Sequence, residues 1–242
     1  MSTVPVLELS GITAGYGPFR ALFDVSISIP EGGAVALLGA NGAGKTTVAR
    51  VASGLVKPVD GRVAIAGKDM TGKPTYQFAR SGIVHAPEGR SVFATFTVEE
   101  NLALPFGRTF SRKGVPDALE RAYTIFPQLG VRRKQLAGTL SGGEQRMLCL
   151  SRALVESPKL LIADELSLGL APIIVDQVYE LLGQIRASGT ALLIVEQHVG
   201  HALDLCEHVV LLAHGAVSWE GPSHEAGDVV VSTLFGSSET GT

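Results

Sequence analysis

The chain has 242 residues, 45% of them apolar, a formal net charge of −3, two cysteines and no low-complexity tract beyond a small polar tail. That length and apolar content suit one large α/β domain or a core with a smaller subdomain, and the charge gives no sign of a nucleic-acid surface. The longest charge-free stretch, Gly32 to Gly44, is glycine-rich and too short to cross a bilayer, and the start lacks the basic-then-apolar order of a signal peptide.

Val6 to Leu9 and Val25 to Ile29 alternate apolar and polar residues and read as half-buried antiparallel strands, with Gly15-Tyr16-Gly17-Pro18 as an aromatic-bearing turn between them. Ala34 to Leu38 is a short apolar run of buried-strand type, and Val48 to Ser53 continues without a breaker as helix. Between them, Gly39-Ala40-Asn41-Gly42-Ala43-Gly44-Lys45-Thr46-Thr47 fits the phosphate-binding loop pattern, and strand, glycine loop and helix is the setting that motif requires. Its glycines let successive N–H groups curl around an anion, and the helix start adds partial positive charge. Lys45 can reach the β- and γ-phosphates, and the Thr46 hydroxyl can ligate Mg²⁺.

Arg62 to Ala66 is a further alternating strand, and Ile83 to Ala86 leads into the loop Pro87-Glu88-Gly89-Arg90. From Val98 to Glu156 the pattern turns to helices broken by Pro105, Gly107, Gly114, Pro127 and Gly138, which predicts a helical insertion. Leu160 to Ala163 gives a buried strand ending in Asp164-Glu165. Ile173 to Arg186 is an amphipathic helix, Ala191 to Val195 another buried strand, and His214-Gly215 the turn of a hairpin. Strands alternating with helices predict a mainly parallel, covered sheet, with an added antiparallel layer.

Asp164 can hold Mg²⁺ directly or through water, and Glu165 beside it is placed to polarise an attacking water as general base. Leu140-Ser141-Gly142-Gly143-Glu144-Gln145 offers an N-cap serine and free N–H groups, a second anion site. Cys149 and Cys206 belong to no ligand-spaced cluster and read as buried apolar residues of a reducing compartment. His198 and His201, with Glu196 nearby, lack the spacing of a zinc helix.

Taken together these motifs resemble the nucleotide-binding subunits of ATP-binding cassette (ABC) transporters, end to end from about Leu7 to Phe235. The resemblance implies a phosphate-loop NTPase core (1–96 and 158–235) with an antiparallel β layer, a helical subdomain (97–157) and a flexible tail (236–242). It implies ATP and Mg²⁺ as cofactors, with Tyr16 stacking on adenine, Gly39, Asn41, Gly42, Ala43, Gly44, Lys45, Thr46 and Thr47 around the phosphates, and Thr46, Asp164 and Glu88 toward the metal. In that family two subunits face head to tail, so Ser141, Gly142, Gly143 and Glu144 would serve the ATP held by a partner. The chain departs from the family at three points. Glu88 stands where Gln is usual, and Leu166 follows the catalytic Glu165 where Pro is usual. At the switch-histidine place after Glu196 stands Gln197, with His198 one residue later, so either could cap the γ-phosphate.

Pro87 to Arg90 with Val92-Phe93, Val98 to Leu102, Ser167 to Pro172, and Val195 to Gln197 further resemble the shorter ATPase subunit of branched-chain amino-acid, amide and urea importers. That implies a hetero- or homodimer with a sister subunit on the cytoplasmic face of the membrane. It also implies two permeases, docked near Glu88 to Phe110, and an indirect substrate-binding protein. Two rivals of other classes remain: a guanine-nucleotide switch, and a non-transport cassette ATPase acting on nucleic acid or ribosomes. The first wants an Asn-Lys-x-Asp stretch that neither Asn41 nor Asn101 provides, and the second a basic surface or coiled-coil insertion.

Overall fold

The computed structural model describes residues 4–89, 92–197, 199–227 and 229–230. Ten strands and eight α-helices occur among them: β1 (Leu7–Tyr16), β2 (Phe19–Ile29), β3 (Ala34–Leu38), α1 (Lys45–Ala52), β4 (Asp60–Ile65), β5 (Lys68–Asp69), α2 (Thr75–Arg80), β6 (Ile83–Ala86), α3 (Val98–Thr109), α4 (Val115–Ile125), α5 (Pro127–Val131), α6 (Gly142–Glu156), β7 (Leu160–Asp164), α7 (Pro172–Ala187), β8 (Ala191–Glu196), α8 (Gly200–Leu205), β9 (His208–Ala213) and β10 (Ala216–Pro222).

They form two sheets. One is antiparallel, in the order β2-β1-β4-β5, and the other runs β10-β9-β3-β8-β7-β6. In the first, the alternating residues of β1 pair with apolar partners on both sides: Leu7 lies opposite Ile29 and Ile65, and Leu9 opposite Ile27 and Val63. In the second, every residue of β3, β7 and β8 is buried, as strands covered on both faces must be. β3 runs parallel to β8 and β9, and β8 parallel to β7. The mixed α/β architecture read from the sequence is therefore the one observed.

The strand register sets the level at which the loops leave the sheet. Leu38 pairs with Glu196 and with Leu211, and Asp164 with Val195. Gly39, Glu165 and Gln197 thus all follow the carboxyl ends of neighbouring parallel strands, where open α/β sheets bind ligands.

Two details differ from the sequence reading. β1 runs through Gly15 to Tyr16, which pairs with Phe19, so only Gly17 and Pro18 turn. Gly15 serves close approach instead, because an added Cβ would strike the Phe19 carbonyl. The second is α3, which continues through Pro105 and Gly107 rather than breaking. A mid-helix proline costs about 3 kcal/mol. Val98, Leu102 and Phe106 on the same helix are wholly buried, and at about 1.5–3 kcal/mol per side chain they outweigh it.

Contacts divide the chain into two units: one holds the chain up to His85, Lys159–Glu165 and everything described from Thr190 on, and the other Ala86–Pro158 and Leu166–Gly189. The helical unit thus gathers α7 as well as the 97–157 stretch, since α7 packs on α6. Each unit has its own apolar core. The first is centred on β1, β3, α1 and β8, and the second on Val98, Leu102, Phe106, Ala122, Leu129 and Leu148.

Candidate functional site

β3 delivers the chain into the glycine loop, and two of its glycines take backbone angles that side chains resist: Gly42 at φ 79° and Gly44 at φ 107°. At Gly39 an added Cβ would come within 2.5 Å of the Leu212 carbonyl oxygen, so the loop lies hard against β9. Gly44 is the N-cap of α1, and no side chain caps that helix. Its first N–H groups therefore face the loop with the positive end of the helix behind them. Asn41 and Gly42 are exposed on the rim, while Ala43 and Thr47 are buried and Thr46 is half-buried.

Lys45 is 4% exposed, and its Nζ donates to the carbonyls of Gly39 at 2.9 Å and Ala40 at 3.2 Å. The same ammonium sits 3.3 Å from Glu165 Oε1. Candidate phosphate lysine and candidate general base, 120 positions apart in the chain, thus meet atom to atom. Glu165 holds a left-handed backbone angle, φ 47°, and its N–H donates to the Val195 carbonyl at 2.9 Å. Non-glycine residues rarely take that conformation, and when they do they cluster at working sites.

Asp164 closes β7 with no exposed surface, and neither carboxylate oxygen has a hydrogen-bond partner among the described residues. A buried, unpartnered carboxylate is costly. Its oxygens suit a divalent cation or the water of its shell, and with the half-buried Thr46 hydroxyl the donor set is all oxygen, as Mg²⁺ prefers. Nε2 of His85 lies 3.7 Å from Oδ2 of Asp164.

Tyr16, half-exposed at the end of β1, accepts a hydrogen bond on its hydroxyl from Arg50 Nη1 at 3.1 Å, and the guanidinium lies 5.9 Å from its ring centre. One ring face is thereby engaged with a cation on α1. Gln197 is half-buried directly after β8, and Glu196 before it is buried. His198 lies outside the described residues.

In the helical unit, Ser141 is the N-cap of α6 within a complete capping box. Its Oγ accepts from the Glu144 N–H at 3.3 Å, and Glu144 Oε2 accepts from the Ser141 N–H at 2.8 Å. Arg132 Nε adds an ion pair to Glu144 Oε1 at 3.1 Å. The Glu144 carboxyl is held below its usual range, chiefly by the Ser141 N–H, helped by the Ser141 hydroxyl and Arg132 and opposed by partial burial. Ser141 and Gly142 are exposed at the tip, whereas Gly143 is buried where a Cβ would come within 2.8 Å of Ile174 Cγ2. Gly143 is thus also required for α6 to lie close to α7. Glu88 is exposed on its loop, and Arg146 Nη1 donates to the flanking carbonyls of Gly89 at 2.8 Å and Pro87 at 3.4 Å. Leu166 is buried, as expected of an apolar side chain in that place.

Arg146, Arg132, Arg50 and His85 escape the sequence reading. Arg146 directly follows the Ser141–Gln145 stretch, but nothing local ties it to a loop 57 residues upstream. Arg50 is likewise separated from Tyr16 by 34 positions.

The chain is similar to known proteins over nearly its whole length. The profile of the family described as ABC transporter matches residues 22–167. A high-affinity branched-chain amino acid transport ATP-binding protein, BraG of Pseudomonas aeruginosa, is 41% identical over 213 residues, covering 88% of this chain and 91% of that protein. A probable branched-chain amino acid transport ATP-binding protein, LivF of Archaeoglobus fulgidus, is 35% identical over 224 residues, 91% of this chain and 93% of its own. Among solved structures, the ADP conformation of an ATP-binding cassette of an ABC transporter superposes with a TM-score of 0.80 at 30% identity, covering 94% of this chain and 95% of that one.

Proposed function

The chain belongs to the ABC transporter family and is an ATP-binding ATPase, and from that premise we propose that it powers an importer of branched-chain amino acids or related small amides. The cargo named for both relatives above supports this reading. The observation that carries the hydrolytic part is the 3.3 Å contact between Lys45 and Glu165, which joins phosphate binding to a base at one point.

The adenine stacks on the free face of Tyr16, and the triphosphate lies on the N–H groups of Gly39 to Thr47. Phosphate oxygens compete with Glu165 for the Lys45 ammonium, which frees the carboxylate to polarise the attacking water. Thr46 and Asp164 would hold Mg²⁺. When bound, the cation neutralises charge on the β- and γ-phosphate oxygens. Gln197 caps the γ-phosphate with its amide. Ser141 to Glu144 of a second ATP-binding subunit completes the site, so closure of the pair depends on ATP and reopening on its hydrolysis.

No helix among the described residues is long and apolar enough to cross a membrane. The subunit is proposed to work from the cytoplasmic face, bound to two permeases that a substrate-binding protein feeds, as the transport roles named for its relatives suggest. Uptake of labelled leucine, urea and short amides in a strain lacking this chain tests the cargo. Leucine uptake should fall and return with the wild-type chain but not with Glu165→Gln. Intact leucine uptake beside a lost amide or urea flux would overturn the branched-chain reading.

A further inference from the structure

Deepening the reading of Asp164 as the cation's carboxylate, on which it rests, we propose that His85 is a positioning residue of the hydrolytic site. Its Nε2–H steadies one oxygen of Asp164 so that the other is presented to the metal shell.

Three atoms in this corner are buried without a hydrogen-bond partner among the described residues: Oδ1 and Oδ2 of Asp164, and Nε2 of His85. The ring is 8% exposed and the carboxylate 1%, so bulk water has little access to them. They are the mutual remedy for one another, one side a donor and the other an acceptor. The far side of the ring is already fixed, because Nδ1 lies 3.1 Å from Ser53 Oγ at the end of α1.

The Ser53 hydroxyl decides which ring nitrogen carries the proton. It has one hydrogen to give, to Nδ1, to the carbonyl of Ala49 at 2.8 Å or to that of Arg50 at 3.3 Å. Both carbonyls already accept an N–H, Ala49 from Ser53 at 3.0 Å and Arg50 from Leu55 at 2.8 Å, so they lose little when the hydroxyl turns away. If the hydroxyl stayed on a backbone carbonyl, Nδ1 would have to donate to Oγ, and a bare Nε2 would face two bare carboxylate oxygens. With the hydroxyl on Nδ1, the proton sits on Nε2 and every polar atom on that side is matched. The 3.7 Å separation is longer than a hydrogen bond. Rotation of the carboxylate about its soft sp³–sp² torsion shortens it without moving either backbone. Asp164 then gives Oδ2 to the ring and keeps Oδ1 for the cation, the kind of outer support that metal-holding groups commonly have. Ser53, His85 and Asp164 form a relay of orientation from α1 to the end of β7.

The test is Mn²⁺ affinity, followed by electron paramagnetic resonance, of the purified full chain with a saturating non-hydrolysable ATP analogue. His85→Phe keeps the bulk and the aromatic shape but removes the donor. It should weaken Mn²⁺ binding about tenfold, leave metal-free nucleotide affinity unchanged, and lower kcat more than it raises KM for ATP. His85→Gln, whose terminal amide reaches the place of Nε2, should recover most of the loss. His85→Asn, which reaches only Ser53, should not. Asp164→Asn should weaken Mn²⁺ more than any of them. Wild-type affinity in His85→Phe beside a damaged Asp164→Asn overturns the role of His85 alone. Wild-type affinity in Asp164→Asn removes the cation reading beneath it. If His85→Phe does not fold, equal Mn²⁺ affinities for the Gln and Asn variants overturn the proposal just as well.

Discussion

Helices α1 and α6 both begin on small residues suited to anions, and they begin in opposite ways. α1 starts at Gly44 with no side-chain cap, while α6 starts at Ser141 with a closed capping box and an arginine behind it. A helix end that must receive a triphosphate at every turnover has to leave its N–H groups for the ligand. Left-handed glycines keep that opening from collapsing onto a side chain. A helix end that only touches phosphate from outside can satisfy its own N–H groups first. What α6 leaves outward is the Ser141 hydroxyl and the backbone around exposed Gly142. α3 supplies a comparison: Thr97 and Glu100 make the same box on a helix that carries none of the residues proposed to meet ATP. The box alone therefore marks a helix start, not a phosphate site.

The largest expected effect tests whether chemistry is seated at the bare terminus. Glu165→Gln keeps the shape but loses the base, so ATP turnover should fall by roughly 10²–10⁴-fold while ATP binding persists. Unchanged turnover in a phosphate-release assay would detach the α1 terminus from hydrolysis. Next, Lys45→Ala set against Ser141→Ala separates holding from lending. Loss of a charge-assisted phosphate contact of about 1.5–3 kcal/mol should weaken ATP binding to the isolated chain by roughly 10–100-fold. Ser141→Ala should leave that affinity alone and lower hydrolysis only in the assembled transporter. Calorimetry showing equal losses of affinity in both would abolish the distinction between the two helix ends.

How much of this the sequence reveals follows from the range of each interaction. β3, β7 and β8 are continuous apolar runs, and the glycine loop, Asp164-Glu165 and Ser141 each sit at the end of one element. Local pattern finds all of them, including the serine cap of α6. The extent of α3 is not local, because whether Pro105 ends a helix depends on what Phe106 and Leu102 bury against. The length of β1 is set by its pairing with β2 and β4. His85 reads as a polar residue in a strand leading to a loop, and only the fold brings it to Asp164. The Arg146 clasp on the Glu88 loop and the Arg50 cover on Tyr16 likewise join distant stretches whose spacing carries no signal.

The smallest effect concerns the charge that closes the α6 box. Glu144 titrates below its ordinary 4.5, so its folded-state pKa is depressed. The stabilisation is fully present above pH 4.5 and is lost as the pH falls from there through the folded value, where the native carboxylate takes up its proton. Glu144→Gln keeps an oxygen for the Ser141 N–H but drops the charge beside the helix start. Arg132 is 44% exposed, so its ion pair adds little through solvent, and the whole cost should be about 0.5–1 kcal/mol at pH 7. Urea unfolding of the two proteins should therefore differ at pH 7 and converge as the pH drops below 4.5. Turnover of the assembled transporter then tells a mount from a mere scaffold. Glu144→Gln should lower it about two- to five-fold, in line with that energy. Unchanged turnover would mean that the box of α6 steadies the helical unit and no more, leaving Ser141 without a reason to be held so firmly.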